Sequence, residues 1–232
     1  GDKASTVYQQ MNKLSCRGVI LDLANSKTSE ILLDIGYYRL GFYKHAFEID
    51  NEHNVKEGTR FTDILSLYYL DLDIRSFLIK YLNRIESNFK TKLIYHISNK
   101  YENDSTWFIN DKVVDIDFVE GKPILLADGS PSSRRKPGFK KRVYNKGFID
   151  NNKTIKNHDI KFSTDTTRSY APAWKTVEYM TFGQTFKLFQ ALIKDTDKKM
   201  IRKEYGVNSN SKFENFFQNI IDLRNACAHG NV

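Results

Sequence analysis

A chain of 232 residues, 40% apolar and 13% aromatic, can bury the core of one large helical domain or of a domain with an insertion. Twelve glycines and four prolines are too few for a turn-rich β-sandwich, two cysteines (Cys16 and Cys227) are too few for a disulfide or metal framework and point to a reduced, cytosolic setting, and no run of about eighteen apolar residues predicts a membrane span or partner. The net charge of +8 falls within residues 131–170, where eleven Lys/Arg meet three Asp/Glu, and the remaining 25 bases balance 25 acids, so the local field suits a polyanion better than a small acidic substrate.

Residues 6–50 read as helical with a break near Gly18. Thr6 and Gln9 have capping-box spacing, and Leu32, Ile35 and Tyr38 recur at helical intervals. A polar connection over residues 50–60 leads into a long helix from about Thr62 to Lys100. Its stripe contains Ile64, Tyr68, Leu78, Leu82, Ile85 and Phe89. Asp71 and Arg75 interrupt that stripe one turn apart, a spacing that lets them pair.

Residues 102–170 lose this pattern. Gly121, Gly129, Pro131, Pro137, Gly138 and Gly147 break the segment, and short apolar pieces such as Ile124-Leu125-Leu126 predict a small hairpin in a partly mobile insertion. Helical pattern returns after Pro172, a first-turn proline, with Trp174, Val177, Phe182, Phe186, Phe189 and Ile193 on one face. Glu178 lies on that face, where a carboxylate needs a partner or a raised pKa. A short helix from about Asp197 is capped at Gly206. The last helix opens on Ser211 and Glu214 as a capping box, buries Phe213, Phe216, Phe217, Ile220, Ile221 and Leu223, and ends near Gly230. The expected fold class is all-α: one helical domain with an N-terminal half (1–101), a long, partly irregular basic insertion (102–170) and a C-terminal half (171–232).

Chemistry concentrates at the end of the last helix, Leu223-Arg224-Asn225-Ala226-Cys227-Ala228-His229-Gly230-Asn231. An arginine can hold a phosphate, and a histidine can move a proton near neutral pH. Arg224 and His229 lie about 140° apart around a helix, whereas Asn225 and His229 share a face. Ala226, Cys227 and Ala228 are small enough to let another helix approach closely. One helix offers one Arg and one His, and a two-fold dimer would offer two of each around one cleft. Such a cleft can cut RNA without metal: histidines move protons at the 2′- and 5′-oxygens and arginines stabilise the phosphorane-like charge. DNA lacks the 2′-hydroxyl and is not an expected substrate. Spacing alone is weak, since an Arg four to six positions before a His arises about 0.7 times by chance in this composition. Arg39 with His45 is a second match.

The run Arg134-Arg135-Lys136-Pro137-Gly138-Phe139-Lys140-Lys141-Arg142 packs six cations around one aromatic, with Tyr144 just beyond. Cations can track a phosphate backbone while aromatics stack on bases, although a solvated loop has the same composition. The histidines (45, 53, 96, 158 and 229) show no ligand spacing, and nucleophile-elbow and phosphate-cradling glycine motifs are missing, so no metal or cofactor is expected.

Four segments occur in an order that resembles one family. They are Ile35-Gly36-Tyr37-Tyr38-Arg39-Leu40, Phe61-Thr62-Asp63-Ile64 with Tyr69-Leu70-Asp71, Ala173-Trp174-Lys175-Thr176-Val177-Glu178-Tyr179-Met180-Thr181-Phe182-Gly183, and Leu223-Arg224-Asn225-Ala226-Cys227-Ala228-His229. Together they resemble the Abi-like family of bacterial abortive-infection proteins (AbiD/AbiF type), over most of the chain except residues 102–170. That family looks like a branch of the HEPN superfamily, helical proteins that often are metal-independent ribonucleases and commonly dimerise to assemble the site. The resemblance implies a HEPN-like helical bundle, a catalytic group of Arg224, Asn225 and His229, and a homodimer; Glu178 and Arg39 are candidate supporting residues, Arg39 as a structural or phosphate-facing group, and His45 is a chance match. It also implies phage defence or toxin-like growth arrest through RNA cleavage, with RNA as substrate or regulatory partner. The chain departs from many relatives after His229, where Gly230 and Asn231 replace a second His and an Arg-Leu-Trp stretch. A non-catalytic RNA- or partner-binding module with a degenerate site is the alternative reading.

Overall fold

Short helices precede one long one. The computed structural model describes residues 3–126, 128–164 and 169–230. Its first helices are α1 (Val7–Cys16), α2 (Asn25–Asp34) and α3 (Tyr37–Lys44), followed by the 40-residue α4 (Phe61–Lys100). Next come α5 (Ile116–Glu120), strands β1 (Pro123–Leu125) and β2 (Pro131–Arg135), α6 (Phe139–Arg142), α7 (Lys146–Asn151) and α8 (Lys153–Phe162). The chain closes with α9 (Ala173–Thr176), α10 (Phe182–Gln190), α11 (Asp195–Lys203) and α12 (Asn210–His229). The fold is all-α, and the antiparallel hairpin of β1 and β2 is the single sheet among the described residues. Among those residues no helix is long and apolar enough to cross a membrane.

The chain divides into two compact units, Gly1–Lys80 with Ala226–Val232 and Tyr81–Asn225. In the first unit, Thr6 caps α1 through the expected box: its hydroxyl accepts from the Gln9 N–H and the Gln9 side chain returns to the Thr6 N–H. Met11, Leu14, Val19, Ile31, Leu32, Leu40, Tyr43, Val55, Phe61 and Ile64 form its core. They come from α1, α2, α3, the start of α4 and, through Val19 and Val55, the connections between helices; Asp22 accepts from the Thr62 N–H of α4, and Asp63 reaches back to the Arg60 N–H just before it.

The second unit is built around Phe89 of α4, which is fully buried. Its ring lies 4.9 Å from that of Phe217 and 5.8–6.4 Å from those of Phe182, Phe186, Phe189 and Phe213. Phe182, Phe186 and Phe189 recur at helical spacing on α10, as Phe213, Phe217, Ile220 and Ile221 do on α12, so three helices meet in one aromatic core. Residues 102–164 add to it: Trp107, Phe108, Val114, Val119, Phe139, Tyr144, Ile149 and Ile155 are buried. A close backbone crossing closes this region, because a Cβ on Gly121 (φ +99°) would stand 1.6 Å from the Lys136 carbonyl oxygen.

Four expectations about individual residues are corrected. Ser211 is not the cap of α12; Ser209 accepts from the Lys212 N–H, while Glu214 turns to Asn210 and Gln190. Phe216 and Leu223 are exposed rather than part of the buried face, since the seam runs through positions 213, 217, 220 and 221. The predicted single helix after Pro172 breaks: a 3-10 turn (Val177–Tyr179) follows α9, and Thr181 caps a fresh start at Phe182. That break turns Trp174 and Glu178 outward, so Glu178 lies on no apolar face, and Ile193, beyond the end of α10, is exposed as well. Phe139 and Tyr144 are core residues, and the Tyr144 hydroxyl accepts from the Ala171 N–H, so neither ring is available to stack on a base.

Candidate functional site at the end of the last helix

The aromatic seam of α12 holds that helix in place up to Ile221, and the polar motif rides on its last two turns. Arg224 is half-buried. Its Nε stands 3.2 Å from Glu86 Oε2, off the line of a hydrogen bond, and its Nη1 donates to Asn225 Oδ1 at 3.3 Å. Glu86 is buried, and its other oxygen pairs with Lys90 at 3.0 Å. Lys90 in turn donates to the Glu178 carbonyl oxygen at 3.4 Å. One buried carboxylate thus joins two cations, which offsets the cost of burying all three. Glu178 enters this network through its backbone and not through its carboxylate.

His229 is the last residue of α12 and is exposed, with no hydrogen bond or ion pair among the described residues. Gly230 follows at φ +64°, a left-handed conformation that suits glycine at a helix end, and its N–H donates to the Ala226 carbonyl. Two arginines of the first unit crowd this end. A Cβ placed on Gly230 would lie 2.6 Å from Arg75 Nη1 and 3.6 Å from Arg39 Nη1.

Arg75 pairs with Asp71 as the spacing predicted, Nη2 to Oδ2 at 2.6 Å. The same Asp71 oxygen accepts from the Tyr43 hydroxyl at 2.7 Å. Burial and that hydrogen bond push Tyr43 up to about 12, so it remains a donor across the neutral range. His45, the second motif-like histidine, belongs elsewhere. Its Nδ1 and that of His53 lie 2.7 and 2.9 Å from Glu48, which also binds the buried Lys44.

The basic run splits in two. Arg135 bonds Asp117 and the Gly121 carbonyl, bracing the hairpin to α5, and Lys140 of α6 bonds Glu120 of the same helix α5. Arg134, Lys136, Lys141 and Arg142 are exposed and make no ion pair among the described residues. No group of three or more His, Cys, Asp or Glu side chains that could hold a metal gathers among the described residues. Both cysteines are free. Asn231 lies outside the described residues.

Sequence reading missed Glu86 and undervalued Arg75. Glu86 and Lys90 lie one turn apart, a spacing that lets them pair but does not reveal that the pair is buried. Nothing local shows that Arg75 comes up against Gly230, more than 150 positions later.

Fold and site define an all-α protein whose last helix ends in an Arg-Asn-x-x-x-His element. The chain belongs to the Abi-like protein family, whose family model matches residues 30–232. Comparison with curated proteins and with solved structures finds no match.

Proposed function

We propose that this protein is a metal-independent endoribonuclease of a bacterial phage-defence or toxin-like system. The observation that carries the reading is the end of α12, where Arg224, Asn225 and an unengaged, solvent-facing His229 close the last helix of an Abi-like chain. A histidine free of internal partners can exchange protons with a substrate. In this reaction one His229 takes the proton from a 2′-hydroxyl as the O2′–P bond forms. The P–O5′ bond breaks, and the departing oxygen receives a proton from the His229 of a second copy. The products are a 2′,3′-cyclic phosphate and a 5′-hydroxyl. Arginine stabilises the charge on the phosphorane-like transition state, and the hold of Glu86 on Arg224 limits the rotamers that guanidinium can adopt.

The reaction needs two copies. An apolar stripe supports self-association: Leu70 and Ile74 recur at helical spacing on α4 and are 54% and 49% exposed. Large apolar side chains that share one face and remain in water mark an interaction surface.

Incubation with labelled RNA in EDTA tests the assignment. Wild type is expected to yield cyclic-phosphate ends and His229→Ala to lose at least a hundredfold in rate, as removal of a general acid–base does. A His229→Ala protein that cuts as fast as wild type would disprove the chemistry.

A second reading is RNA binding without cleavage, favoured by the four unpaired cations Arg134, Lys136, Lys141 and Arg142. In that case RNA affinity falls steeply with salt, and neutralising these four flattens the slope while wild type cuts nothing.

A further inference from the structure

The first unit holds a group of cations that the Arg-Asn-x-x-x-His element does not include. Arg39, from α3, and Arg75, from α4, both bring Nη1 close to the Cα of Gly230, the residue after His229. Each guanidinium carries five N–H donors. The one carboxylate paired with them is Asp71, which binds Arg75 and already accepts from Tyr43. Arg75 Nε and Nη2 are shut off from solvent and complete no hydrogen bond, despite the 2.6 Å approach of Nη2 to Asp71. Arg39 is exposed and makes no hydrogen bond or ion pair among the described residues.

Two structural explanations are available for such a pair, and each meets an obstacle. Arginines can serve a helix C-terminus by donating to its last carbonyls, yet neither guanidinium donates to any carbonyl of α12 among the described residues. An internal ion pair explains Arg75 in part but leaves Arg39 without a role. Donors shut away from water without acceptors are costly. Two guanidiniums with one acid, bound to Arg75 alone, leave this end with positive charge to spare. An anion with several oxygens satisfies both conditions. A phosphodiester suits two planar guanidiniums better than a single carboxylate does, because it offers two non-bridging oxygens at once. Glycine at position 230 lets the Arg75 guanidinium come up against the end of α12, since a Cβ there would stand 2.6 Å from its Nη1.

We propose that Arg39 and Arg75 form a phosphate-binding site beside His229, which holds the RNA backbone at the group that donates and accepts the proton. The proposal rests on the ribonuclease reading for the identity of its ligand. Asp71 and Tyr43 are its positioning residues: Tyr43 orients Asp71, and Asp71 orients Arg75.

The test uses the full chain and two probes. A labelled 2′-O-methyl RNA oligonucleotide, which lacks the attacking hydroxyl, reports binding by fluorescence anisotropy at several salt concentrations. The unmodified RNA reports cleavage. The variants are Arg39→Ala, at an exposed position, and Arg75→Lys, which keeps the charge opposite Asp71 but removes the fork; unchanged circular dichroism confirms folding. Each variant is expected to bind the analogue at least tenfold more weakly; Arg39→Ala, which loses a charge, also has a salt slope shallower by about 0.7, the value for one lost contact to a single strand, whereas Arg75→Lys keeps its charge and its slope. Tyr43→Phe is expected to weaken binding to a lesser degree and to leave the salt slope unchanged. Folded Arg39→Ala and Arg75→Lys proteins with wild-type affinity and slope would overturn the site, as would a wild type without affinity for the analogue. Wild type that binds in this arginine-dependent way but does not cut keeps the phosphate site and removes the ribonuclease reading instead.

Discussion

Glu48 shows how one acid can hold a corner of the first unit together. Burial by itself would raise its carboxyl, but hydrogen bonds from His53, Lys44 and His45 outweigh that effect and bring it from the ordinary 4.5 down to about 2. A carboxylate held down in the folded state contributes stability above pH 4.5, and that contribution is lost as the pH falls through about 2, because the unfolded chain takes up the proton first. The contribution is about 3 kcal/mol at most. Urea midpoints are therefore expected to fall between pH 5 and pH 3 more steeply for wild type than for Glu48→Gln. Parallel curves for the two proteins would remove Glu48 from the account. Arg224 and Arg75 follow related logic at the candidate site. Arg224 is anchored by a buried acid that has a second cation, whereas Arg75 shares its acid with a tyrosine and keeps donors in reserve. Local sequence predicted the Asp71–Arg75 pair because partners four apart on a helix are neighbours. It did not predict the Arg224–Glu86 pair, whose partners are joined only when α4 and α12 pack together.

At the scale of elements, the second unit depends on the aromatic seam that fixes α12. Phe89 touches rings from α10 and α12 at once, so removing it opens a cavity bordered by five phenylalanines. Phe89→Ala is expected to cost about 3–5 kcal/mol, the range for a fully buried phenylalanine, measured by chemical denaturation. A loss below 1 kcal/mol would show that the seam repacks around the gap. The boundaries of α4 were legible because forty residues of helical pattern carry a strong signal and few breakers. The failure at Glu178 has an equally local cause. Apolar residues continue at helical spacing across Met180 and Thr181, but the capping box of Thr181 and Gln184 favours a new start, and two extended residues, Met180 and Thr181, rotate everything before them. The misread aromatics of the basic run have a different cause. Composition identifies Phe139 and Tyr144 as available rings, but only packing decides whether a ring faces a base or a core.

For the molecule as a whole, the charge and the apolar stripe on α4 make separate demands. The excess of positive charge belongs to residues 131–170, and the four cations left without acids keep that field available to a polyanion. The exposed Leu70 and Ile74 suit a partner surface, and the proposed reaction, which uses two histidines, makes a second copy the simplest one. Ile74→Asp is expected to convert a dimer into a monomer in sedimentation and to reduce RNA cleavage at least tenfold, with little change in unfolding midpoint. A monomeric wild type, or a monomeric variant that cleaves normally, would separate the stripe from the activity.

Sequence alone determined the helical class, the long α4, the first capping box, the family and the position of Arg224, Asn225 and His229 on the last helix. These follow from periodicity, caps and ordered motifs, which act over a few residues or are read in sequence order. Tertiary structure decided which distant acids the basic side chains meet and where they gather. Glu86 engages Arg224, Asp117 engages Arg135 and Glu120 engages Lys140, while Arg39 and Arg75 converge on Gly230. The reason is physical: the partner of a charged side chain is set by contacts between distant segments, and those contacts come into being only when the apolar seams bring the helices together.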